Sequence, residues 1–409
     1  MLRWIIFLIF YTVISVYGFQ AVRTLVKSTW VYYLFFGIAL VIIGNFLFQF
    51  LASSEGRVLN PAKSYAFGFL LAFISFNLVI IPIMLGEDII RLIIGLYDRL
   101  VTTNDGFYLP SRRKFISQVA LGLAAIPFAS LLYGMYEGKY RFRVLNYTLH
   151  FEDLPDAFNG YRITQISDIH SGSFDNKKKI EYGIDLINEQ KSDVIMFTGD
   201  LVNNKSSEML PWKGLFGSLK AKDGIYSVLG NHDYGDYVDW DSHEAKAQNL
   251  ADLVQLQRDM GFDLLLNESR FIEKNGQRIA IVGVENWGKG GFKTAGDLKK
   301  ASEKINPDDF KILLSHDPTH WEAKVINDEY HYHLTLCGHT HGMQFGIEIP
   351  GWIKWSPIKW RYKYWAGIYQ ELGQYINVNR GFGYLGYPGR VGIWPEITVI
   401  ELKKGVNNA

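Results

Sequence analysis

Four stretches of the chain contain no charged side chain: Trp4–Val22, Tyr33–Ser54, Tyr65–Gly86 and Phe115–Tyr136. Each is close to the ~20 residues that cross about 30 Å of hydrocarbon as a helix. Pro82 and Pro127 fall inside two of them, which a spanning helix tolerates better than a water-exposed one. A large soluble core could bury one such helix, and a cleaved leader could explain the first. Four in succession predict an all-helical transmembrane region over residues 1–138. Ile89–Leu100 sets Arg91, Asp98 and Arg99 among apolar residues. It suits a helix lying along the membrane surface or a plain helical connector.

From about Lys139 the pattern changes to short apolar runs separated by polar, amphipathic stretches. Arg162–Ser167, Val194–Thr198, Ile225–Leu229, Ile279–Val284, Lys311–Leu314, Leu334–Cys337, Tyr375–Asn379 and Ile397–Leu402 read as buried strands by length and β-branched content. Lys178–Gln190 and Glu244–Met260 read as helices. The alternation predicts an α/β domain over residues 139–409.

Composition sharpens this division. The 409 residues carry 42 Lys+Arg against 41 Asp+Glu, which argues against a nucleic-acid partner held by bulk charge. The balance conceals a net +5 over residues 1–139 and a net −4 over residues 140–409. A single cysteine, Cys337, excludes an internal disulfide and a Cys-rich zinc module. Its place beside Gly338 reads as a small buried side chain.

The chemistry lies at the ends of these strands. The runs lead into Asp168-Ile169-His170, Gly199-Asp200, Gly230-Asn231-His232-Asp233, His316 and Gly338-His339-Thr340-His341. In an open α/β sheet, ligands gather at the carboxyl ends of strands, so five strand ends would deliver Asp, Asn and His to one place. Residues two apart in an extended segment point the same way. On that basis Asp168 and His170 can share an ion, and His339 and His341 can both face the site. Glycines 199, 230 and 338 let the backbone turn sharply and approach closely. Imidazole with carboxylate suits Mn, Fe or Zn. Five of the ten histidines fall in these clusters; His150, His243, His320, His331 and His333 do not. His331-Tyr332-His333 reads as surface, and Asp317 as an orienting partner for His316.

The ordered set D-x-H, G-D, G-N-H-D, H and G-H-x-H resembles the calcineurin-like metallophosphoesterases. FNGYRITQISDIHSG, FTGDLV, GIYSVLGNHDYG, ILLSHDP, CGHTHGMQ, NVNRGFGYLG and GRVGIWPEI resemble its bacterial membrane-associated branch of the YkuE/YaeI type. The resemblance implies a four-layer α-β-β-α sandwich with two divalent metals at one edge. It would give Asp168, His170 and His341 to the first metal, Asn231, His316 and His339 to the second, and Asp200 to both. His232, steadied by Asp233, would face the phosphate as the catalytic residue. Two metals would clamp phosphoryl oxygens and activate a water to hydroxide for in-line attack on phosphorus, with His232 stabilising the transition state or protonating the leaving oxygen.

Three segments bear on substrate and sidedness. Trp352–Trp365 (WIKWSPIKWRYKYW) combines tryptophans with basic residues. It suits either a membrane interface, where Trp352 and Trp355 would guide a lipid phosphoester, or a folded loop with stacked aromatics. Arg380 and Arg390, in Gly-rich stretches, suit either a substrate phosphate or structural ion pairs. Ser111-Arg112-Arg113-Lys114-Phe115-Ile116 resembles a twin-arginine export signal and equally suits a positive-inside anchor. Both readings put Arg112 and Arg113 on the cytoplasmic side and the domain across the bacterial inner membrane. The function expected is therefore membrane-anchored, metal-dependent hydrolysis of a phosphomonoester, phosphodiester or pyrophosphate, of an envelope lipid or its precursor. A cytoplasmic-facing UDP-acyl-sugar pyrophosphate hydrolase is the alternative, and a non-enzymatic metal-binding receptor a third. Against the receptor, no Asp, Glu, Lys, Arg or His lies within the four uncharged windows.

Overall fold

In the computed structural model, residues 2–51, 60–102, 110–349 and 351–406 are described. The chain divides into two compact units, one with the four long helices and one from Glu137 onward.

The helical unit consists of α1 (Leu2–Leu25), α2 (Thr29–Leu51), α3 (Pro61–Tyr97) and α4 (Pro110–Tyr136). All four are long and apolar enough to cross a membrane. They carry the four uncharged windows; the last residues of the second window, 52–54, lie outside the described residues. Apolar side chains such as Leu40, Val41 and Ile126 are exposed along them, as expected of helices whose solvent is hydrocarbon. At 37 residues α3 is about 55 Å long at 1.5 Å per residue. Ile89–Tyr97 is its continuation and not a separate surface helix. Arg112 pairs with Glu87 at 3.0 Å and Arg113 with Asp88. Asp88 also accepts a hydrogen bond from Tyr17 at 2.9 Å. The arginine pair thus ties α4 to α3 inside this unit.

The second unit contains strands β1 (Arg143–Phe151), β2 (Arg162–Ile166), β3 (Val194–Phe197), β4 (Ile225–Ser227), β5 (Phe262–Leu264), β6 (Glu268–Lys274), β7 (Gln277–Gly283), β8 (Phe310–Leu314), β9 (Leu334–Cys337), β10 (Ile347–Ile349), β11 (Ile353–Trp355), β12 (Gly367–Glu371), β13 (Gln374–Val378) and β14 (Glu396–Lys404). Its helices are α5 (Lys177–Glu189), α6 (Lys213–Phe216), α7 (His243–Asp259), α8 (Leu298–Ala301) and α9 (Thr319–Ala323). One six-stranded sheet runs β1-β14-β2-β3-β4-β5, the other β12-β13-β9-β8-β7-β6, and β10 with β11 forms a hairpin.

Three cores define four layers. Ile195 and Phe197 of β3 face Ile180, Ile184 and Leu253 of α5 and α7. Val194 and Met196, alternating with them, face Ile281, Ile312 and Leu334 of the other sheet. Val282, Leu313 and Ile376 on the far face of that sheet meet Leu298, Ala301 and Trp321. Burial on both faces explains why the strands read as continuous apolar runs instead of alternating ones. The expected α-β-β-α sandwich is therefore what forms, with all eight expected strands and both expected helices present. Pairings β2–β3–β4–β5 and β7–β8–β9–β13 are parallel. Their carboxyl ends open toward shared loops.

His333 departs from the surface expectation. It is buried, stacked at 4.3 Å on Phe310 and hydrogen-bonded to Asp153 at 2.7 Å. Cys337 is buried and unpaired in disulfide terms, as expected.

Candidate metal centre

Asp168 and His170 follow β2, Asp200 follows β3, Asn231 and His232 follow β4, His316 follows β8, and His339 and His341 follow β9. Two groups of ligand atoms form, Asp168–His170–His341 and Asp200–His316–His339, each with its atoms within 4.8 Å of one another. Within the first, His170 Nε2 lies 3.0 Å from His341 Nε2, and His341 Nε2 lies 3.2 Å from Asp168 Oδ1. Asp200 Oδ2 lies 3.2 Å from His316 Nε2 and 3.5 Å from His170 Nε2. One carboxylate oxygen therefore reaches both groups. Asn231 Oδ1 joins the second group, 2.8 Å from His339 Nδ1.

The backbone explains this convergence, and it does so differently from extended-strand geometry. Asp168, His170, Asp200, His339 and His341 all have positive φ, between 48° and 71°. Non-glycine residues in that region cost on the order of 1–2 kcal/mol each and collect at functional sites. The strands end at Ile166 and Cys337, so these residues lie beyond the regular pleat. Asp168 and His170 do share a group, whereas His339 and His341 go to different groups. Gly230 and Gly338 provide room for the carboxylates: a Cβ on Gly230 would stand 2.2 Å from Asp200 Oδ1, and one on Gly338 2.2 Å from Asp168 Oδ2.

The electrostatics fit a cation site. Asp168 and Asp200 are buried, which alone would raise their pKa. The imidazoles of His341 and His316 around Asp168, and of His316 and His232 around Asp200, hold both well below the usual carboxylate range. Burial lowers the pKa of His170, His232 and His339. At His316 burial acts the same way, yet the charge of Asp200 outweighs it and raises the value to about 10. His316 Nε2 is buried and faces the Asp200 carboxylate at 3.2 Å. Divalent ions bind to such sites by displacing protons from imidazole and neutralising paired carboxylates. The donors present, imidazole, carboxylate and amide oxygen, fit Mn, Fe or Zn.

Supporting partners differ from the sequence expectation at two points. His316 Nδ1 is held by the Thr198 carbonyl at 2.7 Å, and Asp317 instead lies 3.4 Å from His339 Nε2. Asp233 accepts backbone N–H bonds from Asp200, Leu201, Val202 and Gly230. It fixes the loop that carries Asp200, and burial together with the Asp200 charge raises its pKa to about 7. His232 is oriented by the Asn203 carbonyl, 2.7 Å from its Nδ1.

A cavity of about 220 Å³ opens at the centre, lined by His170, Asp200, Asn231, His232, His339 and His341 and walled by Phe292, Ile358, Arg361, Tyr362 and Leu385. Tyr362 Oη lies 2.8 Å from His339 Nε2. Trp352 and Trp355 do not line the cavity; Trp352 is exposed and Trp355 packs edge-on against Trp360 at 6.0 Å. Arg380 is buried between Glu396 and Glu348. Arg390 is fully buried and donates to the Gly383 and Arg380 carbonyls and, from Nη2, to His341 Nδ1 at 3.1 Å. Sequence reading missed the cavity walls, although Ile358, Arg361 and Tyr362 belong to the Trp-rich segment it singled out.

Residues 2–139 match the family described as "Probable Calcineurin-like phosphoesterase, transmembrane domain", and residues 161–343 match "Calcineurin-like phosphoesterase". The chain is 30% identical to the uncharacterized metallophosphoesterase YkuE of Bacillus subtilis, over 72% of this chain and 98% of that protein. It is 27% identical to a zebrafish (Danio rerio) transmembrane protein with metallophosphoesterase domain, over 67% of this chain and 60% of that one. An uncharacterized metallophosphoesterase of Helicobacter pylori is 25% identical, over 72% and 73% of the two chains.

Proposed function

The chain belongs to the calcineurin-like metallophosphoesterases with an N-terminal transmembrane region, and on that premise we propose that it hydrolyses a phosphoester carried by a membrane amphiphile, an envelope lipid or its precursor. The observation that carries the hydrolytic reading is Asp200 Oδ2, placed within 3.5 Å of an imidazole of each group. Asp168, His170 and His341 would hold one ion, Asn231, His316 and His339 the other, and Asp200 both. Mn, Fe or Zn bound there supplies polarisation of the phosphoryl oxygens and activation of water.

The remaining chemistry falls to side chains of this chain. A carbonyl can only accept, so His232 Nδ1 carries the proton shared with Asn203. Nε2 is then the nitrogen that would take up a proton from solvent and deliver it to the leaving oxygen, while the attacking water gives its own proton back to solvent. Arg390 fixes the ring of His341 from behind. Arg361 at the cavity wall suits a phosphate, and Phe292, Ile358 and Leu385 suit an apolar neighbour of it.

The lipid assignment rests on these walls and on the membrane anchor. We place the domain outside the cytoplasm, because Arg112 and Arg113 precede the fourth span and would stay inside whether they act as an export signal or an anchor. A reporter fused after Ala409 tests this; cytoplasmic readout would transfer the proposal to nucleotide-linked precursors.

The test of hydrolysis uses the full chain in nanodiscs with Mn, assayed on an aryl phosphate and a lipid phosphoester. Asp200→Asn should lower turnover by at least about 1,000-fold and reduce bound metal. Full activity of that variant in metal-free buffer would overturn the two-metal reading.

A further inference from the structure

The hairpin of β10 and β11 leaves apolar side chains exposed. Its register pairs Ile347 with Trp355 and Ile349 with Ile353, with Glu348 opposite Lys354 between them. Residues two apart share a face of a strand, so the apolar four lie on one side and the charged pair on the other. In a water-exposed hairpin the apolar side turns inward. Here Glu348 pairs with the buried Arg380, and Lys354, itself exposed, reaches the Ala366 carbonyl with Nζ near the rings of Trp365 and Tyr369. Of the apolar four, Ile347 and Ile349 are exposed and Ile353 and Trp355 half-buried. Met343, Phe345, Ile347, Ile349, Trp352 and Trp360 are exposed by 38% to 77%, a concentration within 18 residues that single stray surface hydrophobics do not produce.

Lys359, Arg361 and Lys363 follow the hairpin in sequence, with Lys363 paired to Glu371 at 2.8 Å, and residues 343–363 hold four basic side chains against one acidic. Tryptophan with lysine and arginine around an apolar face is the composition of a membrane–water interface. Basic residues there are drawn to anionic lipids. The hairpin leads directly into Ile358, Arg361 and Tyr362, which wall the metal cavity. The same chain holds four helices fit to span a bilayer, so the catalytic unit is tethered to a lipid surface.

We propose that this hairpin face is a membrane-docking surface that rests in the headgroup region of an anionic bilayer and presents the cavity mouth to lipid phosphates. The proposal deepens the lipid reading above and rests on it for the identity of what enters the cavity. The docking geometry stands on the exposed apolar residues of the hairpin and its flanks.

The test places a nitroxide at Trp352→Cys, at Ile349→Cys and, as a reference, at Tyr182→Cys, which lies exposed on α5. The only native thiol, Cys337, is buried, so labelling is confined to the new cysteine. The full chain is reconstituted in nanodiscs of phosphatidylcholine with phosphatidylglycerol. Collision with oxygen and with a water-soluble nickel chelate then reports depth. Labels at 349 and 352 should lie about 5–10 Å into the headgroup–acyl boundary, with the label at 182 in water. Omitting phosphatidylglycerol should lift both toward water. Nickel-accessible labels at all three positions would overturn the proposal, as would dipolar broadening that reveals a second copy on this face. The same samples are assayed on aryl phosphate and lipid phosphoester. Buried labels without any hydrolysis break the lipid-phosphoesterase reading and leave the docking surface standing; hydrolysis with water-exposed labels breaks the docking surface alone.

Discussion

The two units of this protein apply one rule in two solvents. In the helical unit apolar side chains point outward and the charged residues Glu87, Asp88, Arg112 and Arg113 are satisfied by one another. In the catalytic unit apolar side chains fill three cores, and the buried carboxylates Asp168 and Asp200 gather with their imidazoles at one edge. The helical unit uses its charges to hold helices together, whereas the catalytic unit gathers these two carboxylates where a cation can offset their desolvation. The β10–β11 hairpin belongs to the second unit in sequence, yet it leaves Ile347 and Ile349 exposed, as the first unit does with its apolar side chains.

The sharpest way to separate the units is to remove metal. Chelation should lower the unfolding temperature of the catalytic unit and leave the spans unaffected. A ligand present at about 1,000 times its dissociation constant contributes about 4 kcal/mol. Hydrogen exchange resolved by segment checks this, and equal loosening of both units would count against it.

A smaller effect is expected from crowding one carboxylate. Gly338→Ala would press on Asp168 and should reduce hydrolysis by about 10–100-fold, the range seen when support of a metal ligand is lost. A ratio near one in kcat/KM would show that the loop relaxes freely.

In the helical unit, Glu87→Gln leaves Arg112 without its partner. It should cost about 1–3 kcal/mol of bundle stability, with hydrolysis of an aryl phosphate unchanged. The double change Glu87→Arg with Arg112→Glu should restore part of that loss. Failure of the swap to restore anything would show that the pair does not act as a clamp.

The smallest effect concerns acid. Burial, only partly offset by Asp153, lowers the pKa of His333 to about 4, below the ~6.5 of an unfolded histidine. The unfolded chain therefore takes up the proton first, and the stability contributed by neutral His333 is present above about pH 6.5 and lost as pH falls toward 4. His333→Gln should flatten that part of the stability–pH curve; an unchanged slope would assign it to other groups.

The legible parts of the structure were those written locally. Eight strands were visible because burial on both faces gave unbroken apolar runs, and the candidate ligands were visible because each stands just after such a run. The i, i+2 argument picked residues that do converge, but through the wrong backbone, since a left-handed conformation at Asp168 or His339 leaves no mark in composition. Strands β1, β5, β6, β10, β11 and β12 were not expected. The last three are short or at an edge, and β1 is defined by its pairing with β14, far away in sequence. The true neighbours of Asp233 and Asp317 depend on how loops from different strands meet. The cavity walls are likewise assembled from three loops, around Phe292, Ile358–Tyr362 and Leu385.

The strand order β1-β14-β2 has a consequence for how the protein is made. Strand β14, made more than 200 residues after β2, must enter between β1 and β2, parallel to one and antiparallel to the other. No shorter prefix can close that sheet, so until Lys404 has been synthesised β1 and β2 wait with unpaired edges. Such edges are prone to misassembly. Biogenesis thus favours a helper that shields these edges, or prompt delivery to the membrane while the nascent domain is still open.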